Sequence, residues 1–185
     1  MTSTQSLERR YEVFGPFPFD TTKGVSHSKR LAQFWGDREA DGCPGGLPDA
    51  VGVYVWTFKE GAKRIPWNIG ITSKQGFKGR FTQKELSIRK LQDELPNAEI
   101  EVYLLARRTK TGGFSKTRQK KMNEWLETTL IGAALTVNRN LRNKAKTKYL
   151  KNAVVDGYLN DNEEERNKSA RSFSALFKAQ PRKRN

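Results

Sequence analysis

Tyr54, Asn68 and Gly70 lie on two neighbouring segments that are rich in β-branched and aromatic residues. Tyr54 alternates with Val53 and Val55, so its side chain points to the opposite face of a strand from theirs. Asn68 and Gly70 are two residues apart and share one face of the next strand. A glycine beside the tyrosine leaves room for a phosphate or a water molecule. The alternative is that Tyr54 is a core residue with a hydrogen-bonded hydroxyl.

Two charged residues farther along the chain extend this set. The guanidinium of Arg80 can offer a planar fork to two phosphate oxygens, which a lysine cannot. Glu127 lies on a segment with helical spacing. One carboxylate completed by water and phosphate oxygens suits Mg²⁺, which dehydrates reluctantly. Glu124, one turn earlier, is the competing ligand. The alternative for each of these charged residues is an exposed surface position without a role in chemistry.

The elements that position these residues follow from hydrophobic spacing. Strands are expected over 52–58, 67–72 and 100–106, and the short connection 59–66, which contains Gly61, predicts an antiparallel hairpin. Helices are expected over 26–36, 77–95 and 117–136. The fold class is therefore α/β, more narrowly α+β: a small three-stranded antiparallel sheet flanked by helices.

The long helix over 117–136 has an assigned buried stripe, formed by Met122, Trp125/Leu126, Thr129/Leu130 and Ala133. Before the strands, Phe14–Phe19 is punctuated by proline and is expected to pack as extended chain against the core. Residues 1–50 are thus an N-terminal extension, residues 51–144 the central domain, and residues 145–185 a basic C-terminal helix and tail.

The charge of the chain is strongly one-sided. The formal net charge is +15, and residues 1–50 contribute −1, so the remaining residues carry +16. Two runs contain no carboxylate: Ala106–Lys121, with seven Lys or Arg, and Asn138–Lys151, with six. Such a surface attracts polyanions, most commonly phosphate backbones, and the alternative is an unspecific solubilising surface.

The order and the junction residues of the central domain resemble those of the GIY-YIG nucleases. The family's Gly-Ile-Tyr is matched by Gly52-Val53-Tyr54, and its Tyr-Ile-Gly by Asn68-Ile69-Gly70. The arginine of its first helix is matched by Arg80, and its helical glutamate by Glu127, followed by Leu130-Ile131. The resemblance covers about residues 51–144.

The resemblance implies a metal-dependent endonuclease. By it, Glu127 binds one Mg²⁺ or Mn²⁺, Arg80 holds the phosphate, and Tyr54 activates or orients water. Asn68 stands where the family usually has a second tyrosine; an amide cannot act as a base but can orient water. Gly52 and Gly70 shape the site, and a downstream asparagine, either Asn138 or Asn143, braces it.

DNA is the favoured ligand over RNA. Candidate phosphate contacts are Lys63, Arg64, Lys78, Lys84, Arg107, Arg108, Lys116, Arg118, Arg142 and Lys144. The competing hypotheses are a nucleic-acid-binding module that kept the fold without the chemistry, and a basic assembly protein whose tail binds another macromolecule.

Several classes of protein are disfavoured. Cys43 and His27 are the single cysteine and histidine, which excludes an internal disulfide, a cysteine-based zinc site and multi-histidine metal sites. There is no apolar run of the ~18 residues that a transmembrane helix needs, and no secretory signal is expected. We expect a cytoplasmic protein without membrane contact; the sequence leaves its oligomeric state open.

Overall fold

The computed structural model describes residues 11–22, 24–40, 43–72, 75–96, 98–117, 120–143, 147 and 169. The chain divides into two compact units, Met1–Arg142 and Asn143–Asn185. The fold described here is that of the first unit. Its elements are, in chain order, β1 (Tyr11–Pro18), α1 (His27–Ala40), β2 (Gly52–Glu60), β3 (Lys63–Ile71), α2 (Gly76–Thr82), α3 (Glu85–Glu94), β4 (Ile100–Arg107) and α4 (Lys120–Val137).

The mixed α/β class and the antiparallel sheet are confirmed, but the prediction of three strands is wrong. The sheet has four strands in the order β1-β4-β2-β3. The additional strand, β1, contains Pro16 and Pro18, and these prolines argued against a strand when the sequence was considered alone. An edge strand tolerates proline, and β1 pairs with β4 on both sides of an irregularity between Phe14 and Phe17.

The predicted hairpin of β2 and β3 is confirmed, with a tighter turn than expected. The strands run to Glu60 and from Lys63, so Gly61 and Ala62 form the turn, and Gly61 has a positive φ of 60°. Trp56 faces Asn68 whereas Thr57 faces Pro66, so Trp67 is an extra residue in β3. This bulge shifts the register by one residue for the rest of the hairpin.

The bulge determines which residue lies opposite Tyr54. If the two strands kept the register that they have beside the turn, Tyr54 would face Ile69. Beyond the bulge, Tyr54 faces Gly70. The segment after α4 holds the bulge in place. The Asn138 side-chain amide donates to the Pro66 carbonyl (2.8 Å), and the Arg142 amide donates to the Trp67 carbonyl (2.8 Å).

The main core lies on the face of β2 that carries Tyr54 and Trp56. Phe81 of α2 contacts both rings, with ring centroids 5.4 and 5.0 Å away. Helix α1 adds aromatic side chains to the same cluster: Phe34 and Trp35. Tyr54 is therefore enclosed by aromatic packing on this face of the sheet.

The helix expected over 77–95 is two helices, α2 and α3. Between them the amides of Gln83 and Lys84 bond to carbonyls three residues back, at Arg80 and Phe81. This tightened turn separates the two helices. Lys84 lies at the turn and is half-buried.

The buried stripe assigned to the long helix is only partly right: Met122, Leu126 and Leu130 are half-buried, and the fully buried face lies beside them. In α4 the buried residues are Asn123, Glu127, Ile131, Ala134 and Leu135, whereas Trp125, Thr129 and Ala133 are exposed. Two polar residues thus occupy the inner face. Asn123 accepts a hydrogen bond from the Tyr11 hydroxyl, which ties α4 to β1. Farther along, α4 packs against β2 and β3.

Candidate active site

Tyr54 and Gly70 face each other across the β2–β3 hairpin. A β-carbon on residue 70 would lie 2.3 Å from the phenol oxygen and 2.5 Å from the ring carbon that bears it. The ring of Tyr54 therefore lies directly over the backbone of Gly70. The sequence predicted room beside the tyrosine; that space is filled by the phenol itself.

The phenol oxygen of Tyr54 is buried, and none of the described residues makes a hydrogen bond of normal geometry to it; the Arg80 side chain is the polar group that interacts with it. Burial raises the pKa of Tyr54 because the phenolate loses its hydration. The guanidinium of Arg80 lies close enough to oppose this rise in the pKa, and the carboxylate of Glu127 adds to it. Residues from β2, α2 and α4 are thus brought within electrostatic reach of one another.

Lys84 belongs to the same cluster. Partial burial lowers the pKa of its ammonium, as does the neighbouring charge of Arg80, whereas Glu127 opposes both effects. The sequence marked Lys84 as a general phosphate contact. Lys84 and Arg80 do not share a helix, because Lys84 lies in the turn after α2, so no helical spacing in the sequence indicated that they share a site. The cluster therefore combines two cations, one carboxylate and one phenol.

Glu127 fits a metal site of one particular kind. It is buried in α4, whereas Glu124 is half-buried and lies 3.8 Å from Lys120. Within the described residues, no group of three or more His, Cys, Asp or Glu side chains surrounds one point. A single carboxylate can hold Mg²⁺ or Mn²⁺ where water and substrate phosphate supply the other oxygens. The arrangement fits an ion that arrives with a phosphate ligand.

Close packing against β4 requires a glycine at position 52. A β-carbon there would lie 2.0 Å from the Leu105 carbonyl oxygen of β4. Its amide donates to the Thr72 hydroxyl (2.7 Å), and its carbonyl accepts from the Thr72 amide (2.9 Å). Gly52 thus fixes the start of β2, two residues before Tyr54.

The three candidate asparagines lie in different settings. Asn68 is half-buried on the face of β3 that carries Gly70, and it pairs with Trp56. Asn138 acts on the β3 bulge through the Pro66 carbonyl, and its side-chain oxygen accepts from the Asn140 amide (2.9 Å). Asn143 begins the second compact unit. Of the two bracing candidates, Asn138 is the one whose contact orders β3.

Several predicted phosphate contacts are engaged in ion pairs within the protein. Arg64 donates to both carboxylate oxygens of Glu101 (2.7 and 3.4 Å). The other pairs are Arg108 with Glu12, Arg142 with Glu94, and Lys116 with Asp49 at 3.5 Å.

The remaining predicted contacts differ in exposure. Lys63 and Lys78 are exposed, and Arg107 is half-buried. Arg118 and Lys144 lie outside the described residues. Lys63 and Lys78 are therefore predicted phosphate contacts that solvent can reach, as is the ion-paired Lys116.

No protein-family model matches the chain, and no curated protein and no solved structure is significantly similar to it. Within the described residues, no helix is long and apolar enough to cross a lipid bilayer.

Proposed function

We propose that this protein is a metal-dependent endonuclease of the GIY-YIG type that hydrolyses phosphodiester bonds in nucleic acid, with DNA as the favoured substrate. One observation carries the proposal. Tyr54, Arg80 and Glu127 come from β2, α2 and α4, which are far apart in sequence, and the charges of Arg80 and Glu127 both act on the phenol of Tyr54, which lies over Gly70. A cytoplasmic location is part of the same proposal.

The chain's own residues divide the chemistry between them. Arg80 and Lys84 attract the phosphate to the cluster and neutralise its charge. Tyr54 orients the attacking water through its hydroxyl. Glu127 holds one Mg²⁺ or Mn²⁺, and such an ion supplies charge neutralisation at the phosphate and lowers the pKa of bound water.

Tyr54 is expected to act on the water as a base only once its pKa has been lowered. Its pKa is raised by burial, so at neutral pH the phenol is protonated. Positive charge near the phenol, or a hydrogen bond donated to its oxygen, lowers that pKa. The cations of Arg80 and a bound metal ion are the groups in a position to do so.

A non-catalytic nucleic-acid-binding module is the second candidate. It is favoured by the complete burial of Tyr54 and by Asn68, which stands where the family has its second tyrosine. In that case the phenol fills the space over Gly70, and the basic surface binds phosphates without cleaving them. Binding without Mg²⁺-dependent cleavage is its distinguishing property.

The experiment compares Glu127→Gln with Glu124→Gln. Plasmid and single-stranded substrates are incubated with wild type and both variants in Mg²⁺, in Mn²⁺ and in EDTA. We expect Glu127→Gln to abolish cleavage, while Glu124→Gln cuts like wild type because its carboxylate lies one turn away and pairs with Lys120. In EDTA, Glu127→Gln should bind nucleic acid at least as tightly as wild type, since a negative charge beside Arg80 and Lys84 is removed.

Two outcomes count against the proposal. If Glu127→Gln cleaved and Glu124→Gln did not, the metal ligand would be Glu124, one helical turn earlier. Binding by wild type without cleavage in either metal would favour the non-catalytic module. Thermal unfolding of both variants controls for loss of the fold.

A further inference from the structure

Trp125 lies on the outside of α4 with 66% of its side chain exposed. The other three tryptophans of the chain, Trp35, Trp56 and Trp67, are buried. Asn123 points inward from the same helix to the Tyr11 hydroxyl. Two residues correspond to about 200° around a helix, so Trp125 projects to the side opposite Asn123 and Glu127. Its indole is therefore presented away from the core.

Two threonines lie one turn after Trp125 on the same side of α4, and both hydroxyls bond to the helix backbone. The Thr129 hydroxyl donates to the Trp125 carbonyl (3.0 Å), and the Thr128 hydroxyl donates to the Glu124 carbonyl (2.7 Å). Hydroxyls turned to the helix backbone leave the threonine methyl groups toward solvent. The indole is thus flanked, one turn farther along, by methyl groups.

The charges beside the indole are positive. Lys121 is exposed one turn earlier on the same side of the helix. Glu124 lies 3.8 Å from Lys120, which offsets its charge. The carboxylate-free run Ala106–Lys121 ends at this turn. An aromatic plane beside a cationic, carboxylate-free segment is the combination by which proteins bind single-stranded nucleic acid.

We propose that Trp125 is a stacking platform for an unpaired nucleobase, with Lys121 contacting the adjacent phosphate. A base in a duplex has both faces covered, so the platform takes single-stranded segments, such as a flap, a loop or a melted end. The inference rests on nucleic acid as the ligand of the proposed function, and it is independent of cleavage and of the cluster around Tyr54.

Tryptophan fluorescence tests this directly, because Trp125 is the one exposed tryptophan. The protein in EDTA is titrated with oligothymidylate, with a blunt duplex of equal length, and with inorganic polyphosphate. We expect oligothymidylate to quench the emission, and polyphosphate, which has charge but no bases, to leave it nearly unchanged. The duplex should quench less than the single strand.

The affinity of variants is measured separately, by anisotropy of a labelled oligothymidylate. Trp125→Ala should weaken binding by about 5- to 150-fold, the range for one stacked base. Trp125→Phe, which keeps an aromatic plane, should recover part of that loss. Val137→Ala is the matched control, because Val137 is exposed to 67% on the same helix, and it should bind like wild type.

Three results would overturn the inference. Equal affinity of Trp125→Ala and wild type would do so, as would equal quenching by polyphosphate and oligothymidylate. The third is a dimer in sedimentation that Trp125→Ala dissociates, with no change in oligonucleotide affinity; the face would then bind a second copy of the chain. Cleavage assays report on the nuclease proposal separately, since base stacking is measured here without metal.

Discussion

The phenol of Tyr54 covers Gly70, and a β-carbon on residue 70 would lie 2.3 Å from its oxygen. No contact of that length can exist, so any side chain at position 70 displaces the ring. The ring is fully buried against Phe81, so it has little space to move into. The glycine is therefore a condition for the position of the tyrosine.

Gly70→Ala is expected to lower stability by about 1–3 kcal/mol, the usual range for overpacking a core. Gly132→Ala in α4 is the matched control: an added β-carbon there meets no atom within 4 Å, and alanine favours helix by about 1 kcal/mol over glycine. Urea unfolding measures both. Equal unfolding midpoints for Gly70→Ala and wild type would show that the ring moves aside freely.

The β3 bulge provides a second prediction, because it brings Gly70 rather than Ile69 opposite Tyr54. Asn138→Asp keeps the oxygen that accepts from the Asn140 amide but loses the donor to the Pro66 carbonyl. We expect stability to fall by about 0.5–1.5 kcal/mol. Single-turnover cleavage should fall further than stability alone explains, with oligonucleotide affinity unchanged.

Asn140→Ala is the control for the bulge, since the Asn140 side chain is exposed and its backbone amide is retained. It should unfold and cleave like wild type. If Asn138→Asp lost stability and kept full cleavage, Asn138 would support the fold without positioning the site.

The pH dependence of stability follows from the raised pKa of Tyr54. The folded state favours the protonated phenol, whereas in the unfolded chain tyrosine ionises near pH 10. The contribution is present below about pH 10 and is lost as the pH rises above it. Burial also raises the pKa of Tyr11, so two tyrosines contribute to the alkaline loss.

Tyr54→Phe removes one of the two contributions. Its stability relative to wild type should therefore increase as the pH rises from 9 to 11, measured by urea unfolding at each pH. At pH 7 the two proteins should be nearly equal, because phenylalanine keeps the ring and removes a buried hydroxyl that has no hydrogen bond of normal geometry among the described residues. A constant difference across this pH range would contradict the raised pKa.

The sequence predicted the hairpin and that Asn68 and Gly70 share a face, because alternation along a strand is local. The pairing of Gly70 with Tyr54 depends on the bulge in β3, which the sequence did not predict. The sequence also missed β1, since prolines hide an edge strand, and it placed the buried face of α4 too far toward solvent. There the inner positions of Asn123 and Glu127 are polar, and Trp125 is exposed. Those positions depend on contacts with other elements, such as the Tyr11 hydroxyl, which the spacing of residues does not encode.

The same limit applied to the charged residues. Arg64 is a predicted phosphate contact because it lies in the expected hairpin connection, and Arg142 because it lies in a carboxylate-free basic run. Their partners, Glu101 and Glu94, lie 37 and 48 residues away in the sequence, so no local pattern indicated the pairing. Lys84 was likewise treated as surface charge, although burial and Arg80 both act on its pKa.

Asn68 is the position at which the chain departs from the GIY-YIG pattern, and it provides the last prediction. It is half-buried and lies on the same face as Gly70 and Tyr54; in the proposed nuclease its amide helps to orient the attacking water. If a second tyrosine were indispensable, the protein would be inert on every substrate. We expect it to be active, since Tyr54 remains.

The order of two losses in single-turnover cleavage at saturating Mg²⁺ tests this. Tyr54→Phe should lower the rate by ~10²-fold or more, as for a lost acid–base group. Asn68→Ala should lower it less, because one hydrogen bond of about 0.5–1.5 kcal/mol corresponds to roughly 2- to 13-fold. If Tyr54→Phe left the cleavage rate unchanged and Asn68→Ala lowered it strongly, the attacking water would be positioned from β3 and not from β2. An inactive wild type with an active Asn68→Tyr would mean that this chain binds nucleic acid without cleaving it.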